Sequence, residues 1–147
     1  QARGAAQGHY VDEFVEENIL LESNPILAGA FFQALPIFGL EAQELMKKSD
    51  HFLSTGSLIR DTSEGQVNGS SKGSARIEYN LNEHDRKKVV RGLRLGAQIW
   101  LDGAGAERVV PSVFGATWCR TMDDVYHNLP DDLDVGKLSL YASSIAS

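Results

Sequence analysis

The segment SARIEYNLNEHDRKKVVRGLRLGAQIWLDGAGAER, residues 74–108, decides the fold because an alternating stretch runs there into the one long amphipathic helix of the sequence. Ala75, Ile77 and Tyr79 alternate with Arg76 and Glu78. This period of two residues is typical of a strand with one buried face. The pattern therefore predicts a half-buried strand over residues 75–79.

The helix that follows has a recognisable beginning, apolar face and end. Asn82 is a good N-cap residue, and acidic residues follow it in the first turn, where the helix dipole favours negative charge. Apolar side chains then recur every three or four residues on one face: Val89, Val90, Leu93, Ala97, Trp100 and Leu101. Gly103 and Gly105 can end the helix, and residues 107–110 resume an extended pattern. A strand, a helix and a second strand are thus expected in sequence.

The same rules predict a set of shorter elements on both sides of this unit. The strands expected before it cover residues 10–14, 19–21, 50–60 and 66–67. The expected helices cover residues 26–35, 40–48 and 121–128. Short connections favour antiparallel pairing of such strands. We expect an α+β fold with a mixed, mainly antiparallel β-sheet and helices packed on one face, in a single domain over residues 1–147.

Charge and hydropathy exclude several classes of protein. The formal net charge of −6 would repel phosphate groups, so nucleic acid is not an expected partner. No apolar run approaches the roughly 20 residues that a bilayer requires, so no transmembrane segment is expected. A cytoplasmic location follows as an expectation.

Motifs that would carry chemistry within these residues are missing. The four histidines, at positions 9, 51, 84 and 127, lack a second ligand at helical spacing, so no metal site is expected. Gly103 and Gly105 follow a helix, whereas a dinucleotide-binding fingerprint follows a strand and precedes a helix. Neighbouring acidic residues point to different faces and do not form convergent acid and base pairs.

The residues of two segments resemble one known family. The run ARIEYNLNEHDRKKVVRGLRLGAQIWLDGAGAERVV, residues 75–110, resembles the substrate-domain segment of the glucose-methanol-choline (GMC) oxidoreductases, which are flavoenzymes that oxidise alcohols. The run TMDDVYHNLPDDLDVGKLSLYASSIAS, residues 121–147, is similar to the part of that family that leads to its catalytic histidine motif. The resemblance covers roughly the second half of the chain.

The resemblance implies a function and a division of labour. The chain would be the substrate-binding (cap) portion of an FAD-dependent alcohol oxidoreductase, with its sheet forming a roof over the flavin ring. The FAD would be held by a domain outside these residues, and that FAD-binding half would be its partner. The catalytic residues are expected beyond Ser147, so the chain alone would be a fragment without activity.

Substrate contacts are then expected on the sheet face away from the helices. The strand predicted over residues 50–60 has a small centre and apolar flanks, and Phe52 and Ser54 share one of its faces. We expect these two residues to line the substrate pocket, although Phe52 is equally suited to a place in the core. The apolar residues 26–38 favour a small, hydrophobic alcohol as substrate.

Two alternatives from other classes stay open at this point. The chain could be a stand-alone module that binds a hydrophobic ligand between its sheet and residues 26–38. It could also be an interaction subunit whose exposed sheet face docks on another chain.

Overall fold

A computed structural model describes residues 9–24, 37–69 and 73–134 and the backbone of residues 143–146. The strands in these ranges are β1 (Tyr10–Val11), β2 (Ile19–Asn24), β3 (Leu53–Ile59), β4 (Gly65–Gly69), β5 (Ala75–Tyr79), β6 (Val109–Pro111) and β7 (Ser143–Ala146). The α-helices are α1 (Gly39–Met46), α2 (Glu83–Gln98) and α3 (Met122–Asn128). Single 3₁₀ turns occur at Val15–Glu17 and Ser49–His51, and a π-helical turn, Ile99–Gly103, extends α2.

The strands form two separate sheets. The larger sheet has five strands in the order β1, β2, β3, β7, β6, and the smaller is the hairpin of β4 and β5. Every described pair of strands is antiparallel. The predicted α+β class with mainly antiparallel pairing is therefore confirmed.

Helix α2 forms where the sequence predicts it and packs closely on the large sheet. The Asn82 side chain accepts a hydrogen bond from the Asp85 backbone N–H at 2.8 Å, which caps the first turn. Gly92 lies so close to β3 that a Cβ atom there would be 2.9 Å from the Ser57 side chain. The absence of a side chain at Gly92 thus allows α2 to approach the sheet.

The main hydrophobic core lies between α2, α3 and β6. It contains Val89, Val90, Leu93, Ala97, Val109, Val113, Cys119, Val125, Leu129 and Leu133. A second cluster joins Phe52 and Val110 to Leu45 of α1. Because Val109 and Val110 are adjacent on one strand, their side chains point to opposite faces of the sheet. Helix α1 therefore packs at the edge of the sheet, against the side chains that point away from α2.

Several expectations at shorter elements are corrected or refined. The predicted strand over residues 10–14 ends at Val11, because a turn and a 3₁₀ turn follow it. The predicted half-buried strand over residues 75–79 exists as β5, but all of its residues are exposed, so the expected burial is wrong. The strand pairs with β4 and not with the large sheet, and this leaves its apolar face uncovered by the described residues.

Other expectations are met or fall outside the described ranges. The strands predicted over residues 19–21 and 50–60 and the helices over 40–48 and 121–128 are present, with ends shifted by a few residues. The helix predicted over residues 26–35 lies outside the described residues. None of the helices within the described ranges has the length and apolar character that crossing a bilayer requires.

Candidate functional site

The face of the large sheet that points away from α2 is the candidate site, and we call it the open face. Ser57 points towards Gly92 of α2, so the alternation of a strand directs Ser54 and Leu58 to the opposite side. The antiparallel register then adds residues from the neighbouring strands to the same face: Tyr10, Leu20, Glu22 and Asn24. The open face therefore combines aromatic, aliphatic and polar side chains from β1, β2 and β3.

Phe52 and Ser54, the two residues predicted to line a pocket, lie on the side of the sheet opposite α2, and α1 also packs on this side. Both are nearly inaccessible, with exposed fractions of 5% and 4%. Phe52 packs with Ile37, Leu45 and Val110, which is the core position that the sequence also allowed. Phe52 thus forms the closed end of the open face, and Ser54 lies beneath its surface.

A polar cluster lies at the centre of the open face. Asn24 is paired with Ser54 across the two strands, and Glu22 is paired with Gly56. The Asn24 side chain lies over Gly56, because a Cβ atom at Gly56 would be 2.7 Å from Asn24 Nδ2. The half-buried Asn24 and Glu22 are therefore the polar groups that a ligand on this face would meet. An amide and a carboxylate together can donate to and accept from a hydroxyl group.

Sequence reasoning missed Asn24 and Gly56. Asn24 belongs to the triplet Ser23-Asn24-Pro25, which has the composition of a break between elements. In the structure β2 extends through Asn24, so its side chain stands on the sheet. The signal that would have found this pair is the register between β2 and β3, which places an asparagine diagonally beside a glycine.

Two parts of the open face are bare among the described residues: its end at Leu58, and its β1 edge at Tyr10, which is paired with Glu22. The side chain of Leu58 is 48% exposed and that of Tyr10 is 68% exposed. Leu20, which is paired with Leu58, is half-buried. Leu58, Leu20 and Tyr10 are therefore the apolar side chains that a ligand on the open face would contact.

A buried carboxylate elsewhere, at Asp85, has a structural role. Its oxygens accept hydrogen bonds from the Thr62 backbone N–H at 2.7 Å, the Ser63 hydroxyl at 2.6 Å and Lys88 Nζ at 3.1 Å. Burial alone would raise the pKa of Asp85, but the hydrogen bonds from Ser63, Thr62 and Lys88 outweigh it and hold the pKa well below its usual range. Asp85 is therefore ionised at neutral pH and joins the turn after β3 to the start of α2.

A second concave region lies on the α2 side of the sheet, away from Ser54 and Asn24. It is an open groove of about 350 Å³ lined by Phe14, Leu95, Gln98, Ile99, Asp102 and Gly103. The groove borders the π-helical turn, a departure from α-helical geometry that often occurs at functional sites. Its apolar lining suits a greasy ligand, but none of the residues predicted for a pocket contributes to it.

The histidines and acidic residues form no metal centre in the part of the chain that the structure describes. No group of three His, Cys, Asp or Glu side chains in those ranges comes together with a geometry that could hold a metal ion.

The described residues form an α+β protein whose antiparallel sheet carries helix α2 on one face and, on the other, α1 beside a surface that these residues leave partly exposed. Comparison of the chain with protein-family models, with curated proteins and with solved structures finds no match in any of the three.

Proposed function

We propose that this chain is the substrate-binding part of an FAD-dependent alcohol oxidoreductase of the GMC type. The observation that carries the proposal is the open face, where the polar groups of Asn24 and Glu22 adjoin the exposed side chains of Leu58 and Tyr10. An antiparallel sheet with a partly bare face is what a roof over a flavin ring requires. The resemblance of residues 75–110 and 121–147 to that family supports the same assignment.

The residues of the open face have distinct tasks in this proposal. The Asn24 amide binds and orients the hydroxyl group of the alcohol, and Ser54 supports the cluster from beneath. Leu58 and Leu20 contact the apolar part of the substrate and exclude water from it. Bound FAD would supply the acceptor for the hydride that leaves the carbinol carbon.

The chemical step also needs a base that takes the hydroxyl proton. In the proposal this base comes from the catalytic segment expected beyond Ser147, and the FAD-binding half of the same protein is the partner. The proposal includes a small, hydrophobic alcohol as substrate and a cytoplasmic location.

The deciding experiment uses the natural polypeptide that contains this sequence. Its intact mass and visible spectrum should reveal a longer chain with the yellow absorbance of oxidised flavin. Anaerobic addition of primary alcohols of increasing chain length should bleach that absorbance, fastest with the apolar ones. A colourless protein, or a flavoprotein that no alcohol reduces, would contradict the proposal.

The open face is then tested by a substitution in the same flavoprotein. Leu58→Trp fills the bare end of the face and should lower kcat/KM for apolar alcohols by about ten-fold or more. Val15→Trp is the matched control, because Val15 is similarly exposed, at 56%, but does not lie on the open face. Equal kinetics of the two variants would show that substrate does not bind there.

A second candidate, a stand-alone module for a hydrophobic ligand, is favoured by the groove beside Phe14 and Ile99. A colourless protein of this length that retains lipid through purification would support it. Gln98→Trp, at an exposed position of the groove, should then block lipid retention, whereas Leu58→Trp on the open face should not.

A further inference from the structure

The hairpin of β4 and β5 is exposed along its whole length. All ten of its residues are exposed, and Val67 and Ile77, which face each other across the two strands, are each 70% exposed. A lone two-stranded hairpin has marginal stability in water, and three or more strands are needed for an independently stable sheet. A further strand on the hairpin would therefore stabilise it.

The hairpin has one apolar and one polar face. Val67, Ile77 and Tyr79 share a face with Ala75 and two glycines, whereas Gln66, Asn68, Arg76 and Glu78 share the other. Arg76 and Glu78 form an ion pair at 2.7 Å on this polar face. Such amphipathic strands are normally found where the apolar face is covered, but the described residues leave this face exposed.

The base of the hairpin is held firmly. The turn before β4 is fixed to α2 through Thr62, Ser63 and the buried carboxylate of Asp85, and Ser63 Oγ also accepts a hydrogen bond from the Asn82 backbone N–H at 3.0 Å. Tyr79 at the end of β5 donates a hydrogen bond from its hydroxyl to Asp61. The hairpin is thus an arm whose base is anchored to α2 and to Asp61.

We infer that the arm pairs with the same arm of a second copy of this chain, through antiparallel pairing of the two β5 strands centred on Ile77. In that register Arg76 of one copy lies opposite Glu78 of the second copy, and Glu78 lies opposite Arg76 of the second copy. Ala75 lies opposite Tyr79 of the second copy, so that a small side chain faces a large one. The two Ile77 side chains meet on the two-fold axis.

Charge, size and symmetry all favour this partner. Opposite charges directly across two strands are favourable, and each dimer contains two such pairs. Identical surfaces of this kind match the two-fold symmetry that most homo-oligomers adopt. Strand β4 lacks these features, because pairing about Val67 would place Gln66 opposite Asn68 and glycine opposite glycine. The dimer then contains a four-stranded sheet in the order β4, β5, β5, β4, with one continuous apolar face. This inference does not depend on the proposed function.

The register is tested by charge reversal in the 147-residue chain. Glu78→Arg places arginine opposite arginine twice, and Arg76→Glu places glutamate opposite glutamate twice. Each change should weaken dimerisation on the order of 30-fold, as measured by sedimentation equilibrium over a wide range of protein concentration. The Arg76 side chain is 78% exposed and that of Glu78 is 48% exposed, so the fold itself should be unaffected, which circular dichroism will verify.

Two further measurements restore the charge complementarity between the two β5 strands. The double variant Arg76→Glu with Glu78→Arg should dimerise as the wild type does, and an equal mixture of the two single variants should form heterodimers. Arg120→Glu is the control, since it breaks an exposed ion pair with Glu107 that lies outside the hairpin, and it should leave dimerisation unchanged.

Specific results would overturn the inference. A wild-type chain that stays monomeric at high micromolar concentration would do so. A dimer that is insensitive to both single reversals would do so as well. Glu78→Arg makes the net charge less negative than −6, so a tighter dimer of that variant would show that overall repulsion, and not the strand register, controls association.

Discussion

The close approach of α2 to β3 makes a sharp prediction about Gly92. An added Cβ atom in Gly92→Ala would lie 2.9 Å from both Cβ and Oγ of Ser57 and 3.4 Å from Ile59 Cδ1. Overpacking of this kind costs about 1 to 3 kcal/mol, whereas alanine in place of glycine inside a helix gains about 1 kcal/mol. The net effect should be a loss of about 0 to 2 kcal/mol in the free energy of unfolding.

The sign of this effect should reverse when the obstacle is removed. In a Ser57→Gly background the side chain near the new Cβ atom is Ile59, whose Cδ1 lies at the ordinary contact distance of 3.4 Å, so Gly92→Ala should gain about 0.5 to 1 kcal/mol there. For a chain of 147 residues, 1 kcal/mol corresponds to about 3 °C in Tm. Urea and thermal unfolding of the wild type, the two single variants and the double variant give the coupling energy directly.

A control and a refuting result complete this test. Gly103→Ala, in the π-helical turn, has nothing within 4 Å of the added Cβ atom and should change stability only slightly. If Gly92→Ala stabilised the protein equally in both backgrounds, α2 would not contact β3 as closely as described. The assignment of Ser54 and Asn24 to the face opposite α2 would then lose its basis.

Four other predictions concern single residues. Phe52→Ala should lower the free energy of unfolding by about 3 to 5 kcal/mol, because Phe52 is 5% exposed and packs in the core, and urea unfolding measures this loss. Gly56→Ala should displace the Asn24 amide, whose Nδ2 would be 2.7 Å from the new Cβ atom. It should therefore raise KM for the alcohol while it changes Tm only slightly. Thr121→Ala removes the N-cap hydroxyl of α3 and one half of its capping box, and should cost about 1 kcal/mol by thermal unfolding. Asp85→Asn should lower Tm above about pH 5 and approach the wild-type Tm as the pH falls below about 4, because a carboxyl whose pKa is depressed by folding stabilises the protein only where it is ionised.

The helices were predictable because their signals are local. Asn82 before the first turn of α2 and the paired Thr121 and Asp124 of α3 are capping residues that act within four positions of sequence. The apolar face of α2 also repeats within the helix itself and agrees with the buried residues of the core. Helix existence and orientation of the buried face therefore follow from nearby residues alone.

The arrangement of the strands depends on distant residues and was not predictable in the same way. Residues 143–146 form β7 between β3 and β6, so the last described strand completes the sheet that the first strands begin. The contact between Asn24 and Gly56 depends on the register of β2 against β3, which no local pattern specifies. The sequence therefore placed Phe52 and Ser54 on one face, which is the face opposite α2, but it could not show that the more accessible Asn24 lies beside them.

The wrong expectation at β5 and the inferred dimer have the same physical origin. An alternating apolar pattern reports which side chains a sequence keeps out of water, and it does not report which surface covers them. In β5 apolar and charged residues alternate over all five positions, but the described residues leave Ile77 70% exposed. Exposed apolar side chains that share one face often mark an interaction surface, and this is the basis on which we infer the dimer. The opposite charges of Arg76 and Glu78 favour a partner strand that places glutamate opposite Arg76 and arginine opposite Glu78. A second copy of β5, paired antiparallel, places both residues in this way.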